Sequence, residues 1–405
     1  MKFSTKVRSN LLALLLIVSL PVVSCHAEQP GAGDITYQEL SVDTSQDTGV
    51  ISTEKNFLER HALTLVILLV LLVAIALSFR WTNTPYGRLH YLAAVSLKLF
   101  TVEFRYKPDR DMDFRLPLPL NFIFVIAGLM PKERVTRIQD ITIPSEDFDI
   151  PARVYWPKSA KESKAPLPVI VYYHGGGFCL GSVRLFDAEA RSIANASAAI
   201  LVSVDYRLAP RHPYPAAVND CSAAFKWVSA NASSLGGDPA KLMVSGDSAG
   251  GNLAAVTALR ARDENGPGIA GQILYYPLTD WSSEDYDSIR HFGDGYGLTM
   301  EEMHGFREAY IGHLDDYSDS YVSPLCASSL AGLPPALIIN AGFDLLTGAA
   351  DAYARRLEAE GVAVTLVNYS NMIHGFMSIR LFAERRDALH KTADFVEKYT
   401  KFSNI

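Results

Sequence analysis

The sequence predicts an α/β fold with a mostly parallel central sheet and helices on both of its faces. Three observations lead to this. Short runs rich in β-branched and aromatic residues alternate with helical patterns after residue 136. Three glycines, at 175–177, follow one apolar run, and a serine among small residues, at 246–251, follows another. Parallel strands end at one edge of a sheet, so these segments are expected to lie close together.

The predicted elements follow in chain order from residue 137. Strands are predicted at 137–143, 152–156, 168–177, 198–207, 241–246, 271–279, 335–342 and 364–370. Helices are predicted at 217–233, from Gly250 onward and from Leu345 to Glu360. The stretch from Thr279 to Leu333 breaks the alternation. It predicts an insertion of loops and short helices, which at this point in a sheet usually builds the pocket.

Length and charge exclude several classes of protein. The 405 residues, 49% of them apolar, suffice for one large domain with an appendage. A net charge of −7 provides no basic field, so nucleic acid is not expected as a partner. The four cysteines contain no CxxC pair, so the sequence predicts no zinc ribbon, no redox site and no metal site.

Residues 1–25 have the layout of a secretory signal. Basic residues come first, an apolar run follows at 11–20, and small residues come next. The ending "VVSC" also resembles a lipobox, which makes Cys25 a candidate for lipidation. The alternative is a short uncleaved anchor with an incidental cysteine.

Two further segments precede the predicted sheet. Residues 26–60 are polar and without apolar periodicity, which indicates a spacer. Residues 61–79 are uncharged and apolar, and at ~1.5 Å per residue they approach the ~30 Å of a bilayer core. They predict a transmembrane helix, with a buried core helix as the alternative. Residues 80–135 are interpreted as a cap or membrane-proximal region, and 136–405 as the catalytic domain.

The number of predicted membrane crossings gives the side of the membrane on which the catalytic domain lies. A translocated signal followed by one span leaves the catalytic domain of a single-pass membrane protein in the cytoplasm. The positive-inside rule agrees, since Arg80, Arg88 and Lys98 lie behind the span. If the first segment is not a signal, the large domain lies outside instead.

The serine has the surroundings of a nucleophile. Gly246, Ser248 and Gly250 fit the G-x-S-x-G nucleophile elbow, where glycines let a strand and a helix approach closely around a tight turn. A serine hydroxyl needs a base, and the base needs a group that fixes its tautomer. The alternative for Ser248 is an N-cap of the following helix.

The glycine run supplies unobstructed amides. Acyl transfer needs such donors because negative charge develops on the former carbonyl oxygen. The amide of Ala249, just past the serine, is expected to add another. A phosphate cradle is disfavoured, because no Lys-Ser/Thr pair follows and no dinucleotide spacing fits.

Asp344 and His374 complete the predicted constellation. Asp344 directly follows an apolar strand run, and His374 lies in a turn with Gly375 after the last one. The chain order Ser248, Asp344, His374 is the order found in hydrolases of this type. Taken alone, the aspartate could be a helix N-cap and the histidine a turn residue.

With these motifs the sequence resembles the hormone-sensitive lipase family of α/β-hydrolase carboxylesterases, including arylacetamide deacetylase-like enzymes. The matching stretches lie at 174–178, 204–220, 246–254, 342–346 and 374–376. The resemblance implies an α/β-hydrolase fold with a helical cap and no cofactor. It implies ester hydrolysis through Ser248 as nucleophile, His374 as base and Asp344 as the group that orients it. It also implies oxyanion amides from Gly176, Gly177 and Ala249.

The sequence departs from the family at two positions. Arg211 stands where relatives usually have an acidic residue, and Leu345 where a proline usually follows the aspartate. Neither change removes a catalytic group.

The function predicted is hydrolysis of an apolar small-molecule or lipid ester by a membrane-anchored serine esterase. Two alternatives stay open: an amide deacetylase of the same fold, and a non-catalytic ligand-binding protein on the hydrolase scaffold. The sequence leaves the oligomeric state undetermined.

Overall fold

A computed structural model describes residues 61, 64, 66, 68–69, 72–73, 76, 81–99 and 132–401. The chain divides into two units, Met1–Leu68 and Leu69–Ile405. In the first unit the described residues are His61, Thr64, Val66 and Leu68, all with helical backbone. The second unit contains the elements that follow.

An eight-stranded sheet forms the centre of the second unit. The strands of the second unit are β1 (Asn83–Thr84), β2 (Gly87–Arg88), β3 (Arg137–Ile143), β4 (Ile150–Trp156), β5 (Leu167–Tyr173), β6 (Ile200–Val204), β7 (Gly237–Asp247), β8 (Gly271–Tyr275), β9 (Ala336–Phe343) and β10 (Val364–Ile373). Strands β1 and β2 pair antiparallel in a separate two-stranded sheet. The order across the eight-stranded sheet is β10-β9-β8-β7-β5-β6-β4-β3. Pairing is parallel from β10 to β6 and antiparallel for β4 and β3. The predicted mostly parallel sheet is confirmed.

Helices cover both faces of the sheet. They are α1 (Tyr91–Leu99), α2 (Asp187–Ser197), α3 (Ala216–Asn231), α4 (Ala249–Asp263), α5 (Asp287–Phe292), α6 (Met300–Ile311), α7 (Thr347–Ala359) and α8 (Ala383–Lys401). Alternate residues of β5 enter two separate cores: Val169 and Val171 pack with α3, α4 and α7, while Ile170 and Tyr172 pack with α2 and α8. Burying one such side chain contributes about 1.5–3 kcal/mol, so both faces hold the sheet in place.

The predicted insertion between β8 and β9 is present and contains α5 and α6. Helix α6 begins at a capping box: the Glu302 amide donates to Thr299 Oγ1 at 3.2 Å, and the Thr299 amide donates to Glu302 Oε2 at 2.7 Å. The buried side-chain amide of Asn252, on α4, donates to the carbonyls of Leu278 and Val322, both at 2.9 Å. These two bonds tie the insertion to the helix that follows β7.

Some predicted boundaries differ from the structure. The predicted strand 271–279 ends at Tyr275, because Tyr276 has a φ of 35° and turns the chain out of the sheet. Helices α2 and α8 were not predicted. Four of the buried residues of α2, Asp187, Glu189, Ser192 and Ser197, are polar, so its inward face lacks an apolar pattern.

The prediction of a single-pass membrane protein is wrong, and most of the span predicted at 61–79 lies outside the described residues. Within the described part of the chain, no helix is both long enough and apolar enough to cross a bilayer. A crossing needs about 20 consecutive apolar residues. Helix α8 has 19 residues, but acidic and basic side chains occur along its length. The membrane anchor and the cytoplasmic location of the catalytic domain were inferred from this span, so neither is retained.

Other predictions lie outside the described residues. These are the signal-like segment 1–25 with Cys25, the spacer 26–60, and residues 100–131 of the region interpreted as a cap. The domain boundaries at 80–135 and 136–405 stay predictions.

We expect Asn252→Ala to lower the free energy of unfolding by about 2–4 kcal/mol, because it leaves two buried carbonyls without their donor. Asn83→Ala, which removes an exposed amide, should change it by less than about 0.5 kcal/mol. Urea denaturation followed by circular dichroism measures both. Equal effects of the two substitutions would contradict the assigned role of Asn252.

Candidate active site

Ser248 stands on a sharp turn between β7 and α4. Its φ of 55° and ψ of −119° lie outside the regions that non-glycine residues prefer. The turn is held from three sides, because the Ser248 amide donates to the Tyr275 carbonyl at 2.9 Å and the Ser248 carbonyl accepts from Asn252 and Leu278. Strain that persists in such a frame is typical of functional sites.

The glycines beside the serine permit this turn. A Cβ at Gly246 would lie 2.1 Å from the Gly250 carbonyl oxygen, and one at Gly250 would lie 2.0 Å from the Tyr173 carbonyl oxygen. No real Cβ tolerates such contacts, so only glycine lets α4 approach β5 this closely. The packing reason predicted for the small residues around Ser248 is therefore present.

His374 bridges Ser248 and Asp344. Its Nε2 lies 2.9 Å from Ser248 Oγ, and its Nδ1 lies 2.7 Å from Asp344 Oδ2. Asp344 is buried, and its other oxygen, Oδ1, accepts from the Leu346 amide at 2.9 Å. The three residues follow β7, β9 and β10 at the carboxyl ends of parallel strands.

The imidazole is also held by an aromatic contact. The ring of buried Tyr276 lies edge-on to the His374 ring, with centroids 4.8 Å apart and an angle of 60° between the planes. The Tyr276 amide donates to the Ile339 carbonyl at 2.6 Å, which fixes its strained backbone between β8 and β9. Sequence reasoning missed Tyr276, because nothing in an apolar strand run distinguishes a tyrosine that contacts the base.

The glycine loop after β5 lies next to the turn that carries Ser248, since the Gly175 amide donates to Asp247 Oδ1 at 2.8 Å. Gly176 and Gly177 have φ values of 119° and 60°, which favour glycine. Within the described part of the chain, nothing accepts a hydrogen bond from the amides of Gly176, Gly177 or Ala249. They are thus available to an oxyanion, the arrangement that acyl transfer requires.

Asp247, the residue before the serine, holds this loop. Its Oδ1 accepts from the Gly175 amide at 2.8 Å and from Tyr172 Oη at 2.6 Å. Burial, reinforced by the nearby Glu189 carboxylate, raises the pKa of Asp247 well above its usual range. The sequence motif contains this aspartate, but the motif alone does not reveal its link to the glycine loop.

Helix α6 lies over the glycine loop. A Cβ at Gly177 would lie 2.4 Å from the ring of Phe306, so the ring rests directly on the glycine. On the other side of α6, a small open cleft is lined by apolar residues such as Leu278 and Met303 and by charged ones such as Glu284 and Arg307. None of the three residues Ser248, Asp344 and His374 is among the described residues that line this cleft. Two of its lining residues neighbour them: the Leu278 amide donates to the Ser248 carbonyl at 3.3 Å, and Leu345 follows Asp344.

Fold and site together define an α/β hydrolase with a serine, histidine and aspartate at the ends of its strands. The family model for the alpha/beta hydrolase fold matches residues 170–378. The chain belongs to this family. The predicted resemblance to its hormone-sensitive lipase branch of carboxylesterases is confirmed, whereas the arylacetamide deacetylase-like detail stays a prediction.

Relatives and solved structures agree with this membership. Carboxylesterase NlhH of Mycobacterium tuberculosis is 44% identical over 250 residues, covering 60% of this chain and 77% of the relative. Esterase LipI of the same organism is 40% identical over 242 residues, covering 60% and 75%. The structure of the hyperthermophilic esterase from Pyrobaculum calidifontis has a TM-score of 0.64 at 42% identity and covers 69% of this chain and 90% of its own.

We expect Gly250→Ala to cost more than about 3 kcal/mol of stability and to remove activity, because its Cβ must displace a backbone carbonyl. Gly268→Ala is the matched control, since a Cβ there meets nothing within 4 Å. Thermal unfolding and hydrolysis of a 4-nitrophenyl ester measure the two effects. A Gly250→Ala protein as stable and active as Gly268→Ala would contradict the close approach of α4 and β5.

Proposed function

We propose that this chain hydrolyses carboxylic esters through a covalent acyl-enzyme formed on Ser248. The single observation that supports this is His374, hydrogen-bonded through one ring nitrogen to Ser248 Oγ and through the other to Asp344. An imidazole held in this way can accept the hydroxyl proton on the one side while its tautomer is fixed on the other. Two relatives above are named carboxylesterase or esterase, which supports an ester as the substrate.

The first half of the reaction acylates the serine. Ser248 Oγ attacks the ester carbonyl carbon while His374 Nε2 takes the hydroxyl proton. The carbonyl oxygen becomes an oxyanion, which accepts hydrogen bonds from the amides of Gly176, Gly177 and Ala249. The carbon–oxygen bond to the alcohol then breaks, and His374 gives its proton to the leaving oxygen.

The second half releases the acid. Water takes the place of the alcohol, and His374 removes one of its protons as the water attacks the acyl carbon. The bond to Ser248 Oγ breaks, and the proton on His374 returns to that oxygen. Asp344 keeps its negative charge throughout and stabilises the imidazolium in both halves.

The surroundings of the triad favour an uncharged, apolar acyl or aryl ester of small-molecule size. Aromatic rings flank the reaction centre, since Tyr276 contacts the His374 imidazole and Phe306 contacts Gly177. We assign α6 and residues 81–99 to a cap over this region. Phe306 of α6 rests on Gly177, and a Cβ at Gly297, in the insertion, would lie 3.7 Å from the side chain of Leu97.

Ser248→Ala should lower kcat for 4-nitrophenyl acetate by about 10³-fold or more, because it removes the nucleophile and leaves the fold intact. Ser233→Ala, which alters an exposed serine, should leave kcat unchanged. A Ser248→Ala protein that keeps its activity would overturn the proposed nucleophile. Ligand binding without turnover in the wild-type protein would instead favour the non-catalytic alternative.

A matched ester and anilide separate ester from amide hydrolysis. We expect kcat/KM for 4-nitrophenyl acetate to exceed that for 4-nitroacetanilide, because 4-nitrophenolate leaves without a proton, whereas 4-nitroaniline must take one from His374 as the carbon–nitrogen bond breaks. Release of the acetate product, measured with a coupled assay, puts both substrates on one scale. A higher kcat/KM for the anilide would assign the chain to amide deacetylation.

A further inference from the structure

One face of helix α6 spans the reaction centre. Glu302 and Phe306 are four residues apart, so their side chains project from the same face about one turn from each other. The Phe306 ring rests on Gly177, at the oxyanion end of the site. The start of α6 lies toward the opposite end, because the Met300 amide donates at 2.8 Å to the carbonyl of Gly293, just past α5. Ser288 of α5 in turn donates at 2.7 Å to the carbonyl of Leu345, the residue after Asp344. Glu302 therefore belongs to the wall of the site on the side of the base.

The two oxygens of the Glu302 carboxylate differ in their hydrogen bonding. Oε2 accepts from the Thr299 amide at 2.7 Å and from Thr299 Oγ1 at 3.0 Å. Within the described part of the chain, Oε1 accepts no hydrogen bond. The capping box of α6 therefore holds Glu302 in place and leaves one acceptor for another molecule.

No described cation forms an ion pair with this carboxylate. The neighbouring basic side chains of α6, His304 and Arg307, both bind Glu284, at 3.0 and 2.8 Å. The other ionisable groups that influence the Glu302 carboxyl are His374 and Glu301. Burial, the largest influence, raises the pKa of Glu302 to about 6. At neutral pH the wall beside the base therefore carries an unneutralised negative charge.

The mechanism indicates which part of the ester lies near the Glu302 carboxylate. His374 must protonate the leaving oxygen, so the alcohol portion of the ester lies next to the imidazole, while the carbonyl oxygen points to Gly176 and Gly177. We propose that Glu302 is a specificity-determining residue for the alcohol portion, favouring alcohols that carry a positive charge and disfavouring those that carry a carboxylate. This inference rests on the proposed function.

Three aryl acetates of similar shape test the proposal. They are 3-(trimethylammonio)phenyl acetate, its uncharged isostere 3-tert-butylphenyl acetate, and 3-carboxyphenyl acetate. In Glu302→Gln, the ratio of kcat/KM for the cationic ester to that for the neutral ester should fall about three- to tenfold. The corresponding ratio for the anionic ester should rise. Intrinsic differences between the leaving groups cancel, because each ratio is compared between proteins.

Two features of the chain make this comparison sharp. Glutamine also completes a capping box, so Glu302→Gln keeps the start of α6 while removing the charge. Glu301→Gln makes the same change at the adjacent, exposed position and should leave all ratios as in the wild type. Thermal unfolding of both variants checks that α6 is retained.

The preference for the cationic ester over the neutral one should also depend on pH. A carboxyl with a raised pKa is neutral below that value and charged above it, so the wild-type preference for the cationic ester should grow as pH rises through about 6. In Glu302→Gln the preference should be flat from pH 5 to 8. High salt should reduce the wild-type preference.

The outcomes separate this inference from the proposed function. If Ser248→Ala loses activity on the neutral ester but Glu302→Gln keeps the wild-type ratios, the specificity role is overturned and the mechanism stands. If Ser248→Ala stays active on the neutral ester, the mechanism itself fails. If Glu301→Gln and Glu302→Gln change the kcat/KM ratios equally, the change comes from general surface charge, and the specificity role of Glu302 is also overturned.

Discussion

The site depends on the two hydrogen bonds of His374, and the sheet fixes the positions of the three residues that form them. They join residues 126 and 30 positions apart in the chain. They close only because β7, β9 and β10 are parallel and end at the same edge. A shift of one residue in any of these registers would turn a strand over and move its terminal side chain away. The two apolar cores prevent such shifts, since alternate residues of each buried strand are committed to opposite faces.

The parts of the site that are local in sequence could be predicted, and those that are assembled in space could not. The glycines around Ser248 reflect a steric demand within one strand, turn and helix, and the pattern shows this directly. Asp344 could be proposed because it directly follows a strand pattern, and His374 because it lies in a turn shortly after the last one. Tyr276 and Phe306 reach the site only through the packing of separate elements. In sequence they look like ordinary core aromatics, and an apolar pattern does not say which core residue contacts a catalytic group.

The errors outside the site have a related cause. Apolar character along 61–79 led to a predicted membrane span, yet no helix in the described part of the chain meets the requirements for one. The reverse error occurred for α2, where Asp187 and Glu189 are buried in place of the apolar residues that a pattern search expects. Asp187 is compensated by Lys132, Arg191 and the hydroxyl of Tyr155, partners distant in sequence or on the helix itself. A helix whose inward face carries hydrogen-bonded polar side chains shows no apolar periodicity in its sequence.

The buried carboxylates around the reaction centre differ in role because they differ in their hydrogen-bond donors. Asp344 receives the His374 imidazole and the Leu346 amide, so its charge is available to stabilise an imidazolium. Asp247 receives Tyr172 and Gly175, two donors that belong to the frame, and its function is to hold the glycine loop. Glu302 receives both of its donors from Thr299 on a single oxygen. Hydrogen bonding therefore assigns the first carboxylate to catalysis and the second to support. It leaves the third with one oxygen that no described donor contacts.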